Sequence, residues 1–419
     1  MFRDIADREG RLSVNEMHLS PLSPSPTTPP AERFHALDLL RATMMLLGVV
    51  LHSASNYTTN PGEAWPFRDG SSWRGFDLLI DVIHLFRMPA FFLMAGFFGA
   101  LMLERRGAAS FAINRLQRVA LPLVVGWSVL FPLTVAGFVF AIVNRLAGPQ
   151  EAFRATLGHL VSGAAFKDVH LAHLWFLHQL LIFYACAILL VAAARTIVAP
   201  QTRELFVGWA ARLITNPWGV LVLASVTAVT LLPMRQFCIE THTTLAPPLR
   251  VLAAYGVFFV VGWCLQYRSE DLADLARGWA WRLALGIVLG LIIPLAAGHH
   301  VMHPGPGSVC WFVGMAALAT WLLILGSAGV YLRYLNRPLP LARYLADASY
   351  WIYLVHLPIT IAFAGAFSRT DWPVGVKFGA TFLATSTVCV LSYTLFVRST
   401  VLGQFLNGRR QKRWPGVTA

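Results

Sequence analysis

The stretch LDLLRATMMLLGVVLHSASNY carries Asp38 and Arg41 near one end and His52 eleven residues beyond the arginine. Eleven residues of helix rise about 16 Å and make almost three turns. Arg41 and His52 therefore share one helical face at different depths. A second stretch, FDLLIDVIHLFRMPAFFLMAGFFGALM, spaces Asp77, Asp81, His84 and Arg87 by four, three and three. Asp81, His84 and Arg87 can share one side of a helix within about two turns. A carboxylate beside an imidazole fixes its tautomer and raises its basicity, an option open to Asp81 and His84. Further on, NRLQRVALP sets Arg115 and Arg118 one turn apart. Two arginines so placed can grip phosphate oxygens, and they can equally anchor the chain against lipid head groups. Each of the other groups also has a plainer reading. Arg41 would be an interface anchor, His52 a packed neutral imidazole, and the Asp81 group a structural polar network. As general bases, His52 and His84 rank almost equally on residue type alone. His178 and His356 are further intramembrane candidates.

These groups must be positioned by elements that are overwhelmingly apolar. Of the 419 residues, 57% are hydrophobic and 13% are charged, about half the charged share of a soluble domain. Ten apolar runs are long enough to cross a bilayer: 37–56, 77–102, 119–143, 174–194, 217–233, 248–267, 281–298, 309–332, 345–366 and 376–397. The expected fold class is all-α, a polytopic integral membrane protein of about ten transmembrane helices. Ionisable groups inside such runs are costly and usually face a cavity or a partner, which is why the residues above stand out. Pro89 frees backbone carbonyls and bends its helix, and Gly96 and Gly99 allow close helix approach.

The net charge of +13 comes from basic residues in small groups between apolar runs. That distribution argues against a nucleic-acid partner and for membrane lipid. With the N-terminus inside, cytoplasmic segments hold 23 of the 33 Lys and Arg, the opposite side holds nine, and Arg87 lies within a span. The excess places both termini in the cytoplasm. Residues 1–35, ending in PLSPSPTTPP, read as a disordered cytoplasmic tail with no cleavable signal peptide, and 399–419 as a basic cytoplasmic tail. No CxxC pair or metal-ligand spacing occurs among the five cysteines. Cys238 and Cys310 could face the same oxidising side and pair. The tract AAGHHVMHPGPG has three histidines without an acid or cysteine, which reads more simply as an outer loop than as a metal site. Nothing in the spans resembles a haem pair, a Walker loop or a dinucleotide fold, and no permanently bound cofactor or metal is expected.

Taken together, RFHALDLLRATMMLLGVVLH at 33–52, FRMPAFFLMAGFFGALM at 86–102, NRLQRVALPLV at 114–124, HLWFLHQLLIFY at 173–184 and SYWIYLVHLPI at 349–359 resemble the membrane-bound acyltransferase-3 family. The likeness is greatest to its branch of bacterial proteins that succinylate periplasmic glucans. The resemblance covers about 33–400 and implies one acyltransferase-like transmembrane domain over 36–398, in a bacterial inner membrane. It implies O-acyl transfer of an acetyl, succinyl or similar group. Cytoplasmic acyl-CoA would be the donor substrate and an extracytoplasmic glycan or glycolipid the acceptor, with glycan-synthesis proteins as further partners. His52 falls on the family's histidine, a base or acyl relay, and Arg41 on its partner arginine. Arg115 and Arg118 fall on the arginines that engage CoA. The soluble hydrolase-like domain of many members has no counterpart here. Buried Asp, His and Arg in broken helices would also suit a transporter or flippase of a polar solute, but the two halves show no internal repeat. A noncatalytic subunit of a glycan-modifying complex is a third reading. Arg87 is a candidate partner for a succinyl carboxylate, or for Asp81.

Overall fold

The computed structural model describes residues 35–60, 65–167, 169–216, 218–234, 236–269, 272–302, 306–337, 339–408 and 411. Among these the regular structure is helical, without strands. In chain order the helices are α1 (His35–Ala54), α2 (Arg74–Arg115), α3 (Leu121–Ala147), α4 (Pro149–Val161), α5 (Trp175–Ile197), α6 (Pro200–Thr215) and α7 (Gly219–Leu231). There follow α8 (Leu249–Gln266), α9 (Leu272–Leu275), α10 (Trp279–Met302), α11 (Pro306–Tyr334), α12 (Pro340–Phe367), α13 (Val374–Ser392) and α14 (Val401–Asn407). Wide π-helical turns over Leu116–Ala120 and Tyr393–Val397 join α2 to α3 and extend α13.

Eight helical segments are long and apolar enough to cross a membrane; the chain is an all-α, multi-pass membrane protein. The ten expected runs differ from these eight at two places. Those over 77–102 and 119–143 lie in one helical stretch of 74 residues, Arg74–Ala147. It bends at Gly107, whose φ of 75° and ψ of 168° suit a residue without a Cβ. At 1.5 Å per residue the stretch measures about 110 Å, far more than a hydrocarbon core of about 30 Å. Asp77 near its start and Ile142 near its end line the same cavity, so the chain doubles back within it. The run expected over 217–233 forms only the 13-residue α7, about 20 Å long, because Pro233 follows its last turn and cannot prolong it.

Glycine brings helices together where backbone meets backbone. A Cβ on Gly96 of α2 would lie 2.0 Å from the Phe259 carbonyl oxygen of α8, and one on Gly262 of α8 would lie 1.9 Å from that of Leu93. Neither oxygen can move aside as a side chain would. The Gly96→Val variant is expected to force α2 and α8 apart at a cost of at least about 1–3 kcal/mol. Thermal unfolding in detergent reads this out, and an unchanged midpoint would remove the close crossing from the fold's requirements.

Proline acts in the opposite sense, by freeing acceptors. Pro89 interrupts α2 and Pro358 interrupts α12, and each leaves the carbonyl four residues earlier without its helical donor. In hydrocarbon such a group needs another partner. The Thr320 hydroxyl shares its hydrogen between Leu85 O at 3.0 Å and Ala316 O at 2.8 Å. His173 Nε2 donates to Leu354 O at 2.9 Å.

Some local expectations change. Lys377, one of the nine Lys and Arg assigned to the outer side, is buried in α13 and pairs with Asp69 at 2.9 Å. All five cysteines are free thiols, so Cys238 and Cys310 do not pair. Within the expected C-terminal tail, Val401–Asn407 forms α14. The expected N-terminal tail up to residue 34, and residues 412–419, lie outside the described residues, as do the side chains of histidines 299, 300 and 303.

Candidate active site

A cavity of about 1750 Å³ opens where α1 ends and α2 begins, bounded also by α3, α12 and the segments 162–174 and 232–248. Pockets for drug-sized ligands hold about 300–1,000 Å³, so this one has room for more. Its wall gathers His52, Asp81, His84, Arg87, His173 and His356. His159, His170 and Arg74 line it as well, and Trp65, Phe138, Trp175, Phe176 and Tyr353 supply aromatic surface.

His52 lies in the last turn of α1. Its ring is stacked on Trp65, with centroids 5.4 Å apart and planes at 13°, and stands 5.2 Å from the ring of His356. Trp65 comes from the α1–α2 connection, and Asn56 ties it down. The Asn56 amide donates to His52 O at 2.9 Å and Ser53 O at 3.1 Å, and its Oδ1 accepts from Trp65 Nε1 at 3.3 Å. Phe67, 1% exposed, plugs into a cluster with Ala141, Leu357 and Ile361. Two residues on, Asp69 meets Lys377. Asp77 secures the other side of the connection by accepting from Thr59 N and Oγ1 at 3.0 and 2.8 Å and from Asn60 N at 3.0 Å.

The backbone sets the tautomers of two further histidines. His356, 1% exposed, has Nδ1 2.8 Å from Tyr353 O and 3.1 Å from Ile352 O. Carbonyls only accept, so Nδ1 carries the hydrogen and Nε2 keeps a lone pair. That Nε2 is buried without a partner. In His173 the Nε2–H on Leu354 O leaves Nδ1 as the lone pair, also buried and unpartnered. The two rings lie 5.3 Å apart at 82°, and Tyr353 donates its hydroxyl to His173 O at 2.9 Å. Ala172, just before His173, has φ of 45°. A side chain in that region costs on the order of 1–3 kcal/mol and is held only where the surroundings enforce it.

Arg87 is 6% exposed, and its Nε donates to Met44 O at 2.9 Å. Gly48 makes the space, since a Cβ there would stand 2.3 Å from Arg87 Nη2. The cation lies within electrostatic reach of His52, His84, His173 and His356. Among the described residues no hydrogen bond or ion pair joins Asp81 to His84 or to Arg87, although all three line the cavity. Cys238 also lines it. Burial pushes its thiol up to about 12, which keeps it protonated near neutral pH and unsuited to carry an acyl group as a thiolate nucleophile.

The other expected site residues lie away from the cavity wall. Arg41 pairs with Asp38 at 3.6 Å and sits over the Phe98 ring. Arg115 is sandwiched by the Phe111 and Tyr184 rings, at 5.1 and 4.8 Å, with its Nε buried and unpartnered. Arg118, in the π-helical turn, donates to Leu406 O of α14 at 3.0 Å, and its own carbonyl accepts from Tyr350 at 2.9 Å. His178 is half-buried and outside the wall. What sequence reasoning missed is the grouping of His52 with His173, His356 and Trp65. The clue available was Pro358 two residues after His356, since a proline there announces a free carbonyl in need of a donor.

Comparison with known proteins finds a family model, described as an acyltransferase domain, that matches residues 34–397. Glucans biosynthesis protein C of Escherichia coli (strain K12) is 24% identical over 400 residues, covering 91% of this chain and 96% of that protein. The protein of the same name from Escherichia coli O1:K1 / APEC is 23% identical with the same coverage. No solved structure matches.

Proposed function

Since this chain belongs to the acyltransferase-3 family, and so is a membrane acyltransferase, we propose that it carries an acyl group from cytoplasmic acyl-CoA to a hydroxyl of an extracytoplasmic glycan. The name of its E. coli relatives supports a glucan as that acceptor. The observation that carries the reading is the roomy cavity, which brings His52 and Arg87 together with aromatic surface while Arg115 and Arg118 stay outside its wall. Positive-inside charge puts Arg41, Arg115 and Arg118 in or next to the cytoplasm, and the cavity mouth on the opposite face. Donor phosphates and acceptor sugar then arrive from different sides, and the donor's pantetheine arm runs between them.

The chemistry needed is modest. A thioester is already activated, so the site must remove a hydroxyl proton and stabilise an oxyanion. His52 is the base, as an imidazole serves well near neutral pH. The oxygen attacks the thioester carbonyl, and the developing negative charge faces the Arg87 guanidinium, already desolvated and fixed. Aromatic faces around the wall receive the apolar sides of sugar rings. Asp81 and His84, nearer the start of α2, shape the acceptor side. Arg41 belongs to the donor side.

The test uses the purified protein in lipid nanodiscs with acetyl-CoA or succinyl-CoA and a β-glucan oligosaccharide. Thiol release matched by a glycan mass gain of one acyl unit is expected. A transporter would release no thiol, and a noncatalytic subunit would need added partners. Either result would overturn the reading.

The donor role of Arg115 has its own test. Arg115→Gln should weaken binding of acyl-CoA at least about tenfold, the loss of charge-assisted hydrogen bonds, while Arg115→Lys recovers part because the charge stays and the fork goes. Arg118→Gln should act alike but also release Leu406 O, which makes Arg115 the cleaner probe. Unchanged donor affinity in both Gln variants would remove the pair from donor binding.

A further inference from the structure

Three imidazoles lie in a row, His52 to His356 to His173, at ring separations of 5.2 and 5.3 Å. Each has one buried nitrogen without a hydrogen-bond partner: Nδ1 of His52, Nε2 of His356 and Nδ1 of His173. Buried polar atoms normally find partners, so three orphans side by side need a physical account. The backbone has already decided two of them. His356 gives its hydrogen to the carbonyls of Tyr353 and Ile352, and His173 gives its hydrogen to that of Leu354. Their orphan nitrogens are both lone pairs, and two lone pairs cannot bond to each other. No backbone group fixes the tautomer of His52. It alone can offer a ring hydrogen, and the neighbour able to accept it is His356.

We propose that His356 is the positioning residue for His52: a small rotation of the neighbouring rings lets its Nε2 accept the Nδ1–H of His52 and so leaves Nε2 of His52 as the lone pair that meets the acceptor hydroxyl. The role is that of the third member in a nucleophile–base–orienter arrangement, filled by a neutral imidazole. This role for His356 rests on His52 being the base. In the step, the hydroxyl proton moves to His52 Nε2 as the oxygen bonds to the thioester carbonyl carbon. The imidazolium keeps its Nδ1–H on His356. Collapse of the tetrahedral intermediate breaks the C–S bond, and Nε2 returns its proton to the departing sulfur. The products are the ester and the free CoA thiol, with both histidines neutral again. His356 is rigid enough for the task, being buried in α12 beside Tyr353 and held through two carbonyls of its own helix.

The experiment compares His356→Phe with His356→Gln in nanodiscs, each alone and combined with His52→Gln. Glutamine keeps an accepting oxygen, whereas phenylalanine keeps the ring shape and loses the acceptor. His356→Phe should lower kcat on the order of 100-fold with KM for donor and acceptor nearly unchanged, and His356→Gln should recover at least about tenfold of that loss. In the His52→Gln background, adding His356→Phe should cost nothing more, because residues that act as a unit are not additive. If the Phe variant does not reach the membrane, His356→Leu takes its place with the same expectations. Equal losses in Phe and Gln, or additive losses with His52→Gln, would reduce His356 to packing. An inactive His52→Gln with a fully active His356→Phe would end this proposal alone, whereas an active His52→Gln would end the reading of His52 as the base.

Discussion

The His52→Gln variant is expected to transfer acyl groups at least about 100-fold more slowly than the parent, the low end of what a lost general base costs, while acyl-CoA still binds. Several features converge on this residue. It lies in the last turn of a membrane helix, partly exposed to a cavity that also holds the buried Arg87 cation. One of its faces is covered by Trp65 and its edge approaches His356, so its position is held while its tautomer remains free to be set. Glutamine is close in size and leaves the Trp65 stack little disturbed, so a loss in kcat with normal membrane abundance reports chemistry. His52→Ala, made beside it, should be no better. Turnover near the parent's in either variant would take His52 out of the mechanism and pass the role to His84.

The second large effect concerns the buried pair Asp69–Lys377. Lys377 Nζ lies 2.9 Å from Asp69 Oδ1 with side chains 3% and 0% exposed, and it also reaches Ser368 O at 3.4 Å. Lys377→Met leaves a carboxylate buried without its counter-charge, which is expected to cost about 3–5 kcal/mol. Replacing both residues, Asp69→Leu with Lys377→Met, should recover most of that, since a buried pair exchanged for apolar groups is often neutral. Ser71, whose N and Oγ bond Asp69 at 2.8 and 3.0 Å, would retain a smaller loss. Thermal unfolding in detergent of Lys377→Met, Asp69→Leu and the double variant measures this. A double variant as unstable as the sum of the singles would show that the two charges do not depend on each other. The single variant should also lose activity, because the same connection carries Trp65 onto His52.

The helical class and the apolar runs were legible from composition and run length, because hydrocarbon admits so few backbone solutions. Two boundaries were not. Gly107 turns the chain inside the polar stretch 103–118 without ending the helix, so the two expected runs lie in one continuous helical segment, and Pro233 shortens α7 within a run that hydropathy alone would extend. The site was legible in part. Helical spacing put Asp81, His84 and Arg87 on one side of a helix, and all three line the cavity, but it suggested an Asp81–His84 contact that the described residues do not show. Shared face and depth say nothing about rotamer or about which neighbouring helix competes. Arg41 shares a helix with His52 and pairs instead with Asp38, its nearer neighbour. His356 could be named only as a competitor, because its approach to His52 is decided by the packing of α12 on α1, which no local period encodes. The burial of Lys377 was hidden for a related reason. A lysine at the start of an apolar helix reads as an interface charge until the partner from a distant connection is known.

The carbonyl-held histidines also bear on how this site tolerates mutation. Had acidic side chains oriented His173 and His356, each would have added a codon at which a single change could spoil the arrangement. Peptide oxygens cannot be substituted, so the tautomers are written into the path of the chain and the genetic target shrinks to the imidazoles themselves. Pro358 is the exception. Its replacement by alanine would return an amide hydrogen to α12 and set a rival for Leu354 O against His173, which makes a residue with no reactive atom one of the positions where drift is least affordable.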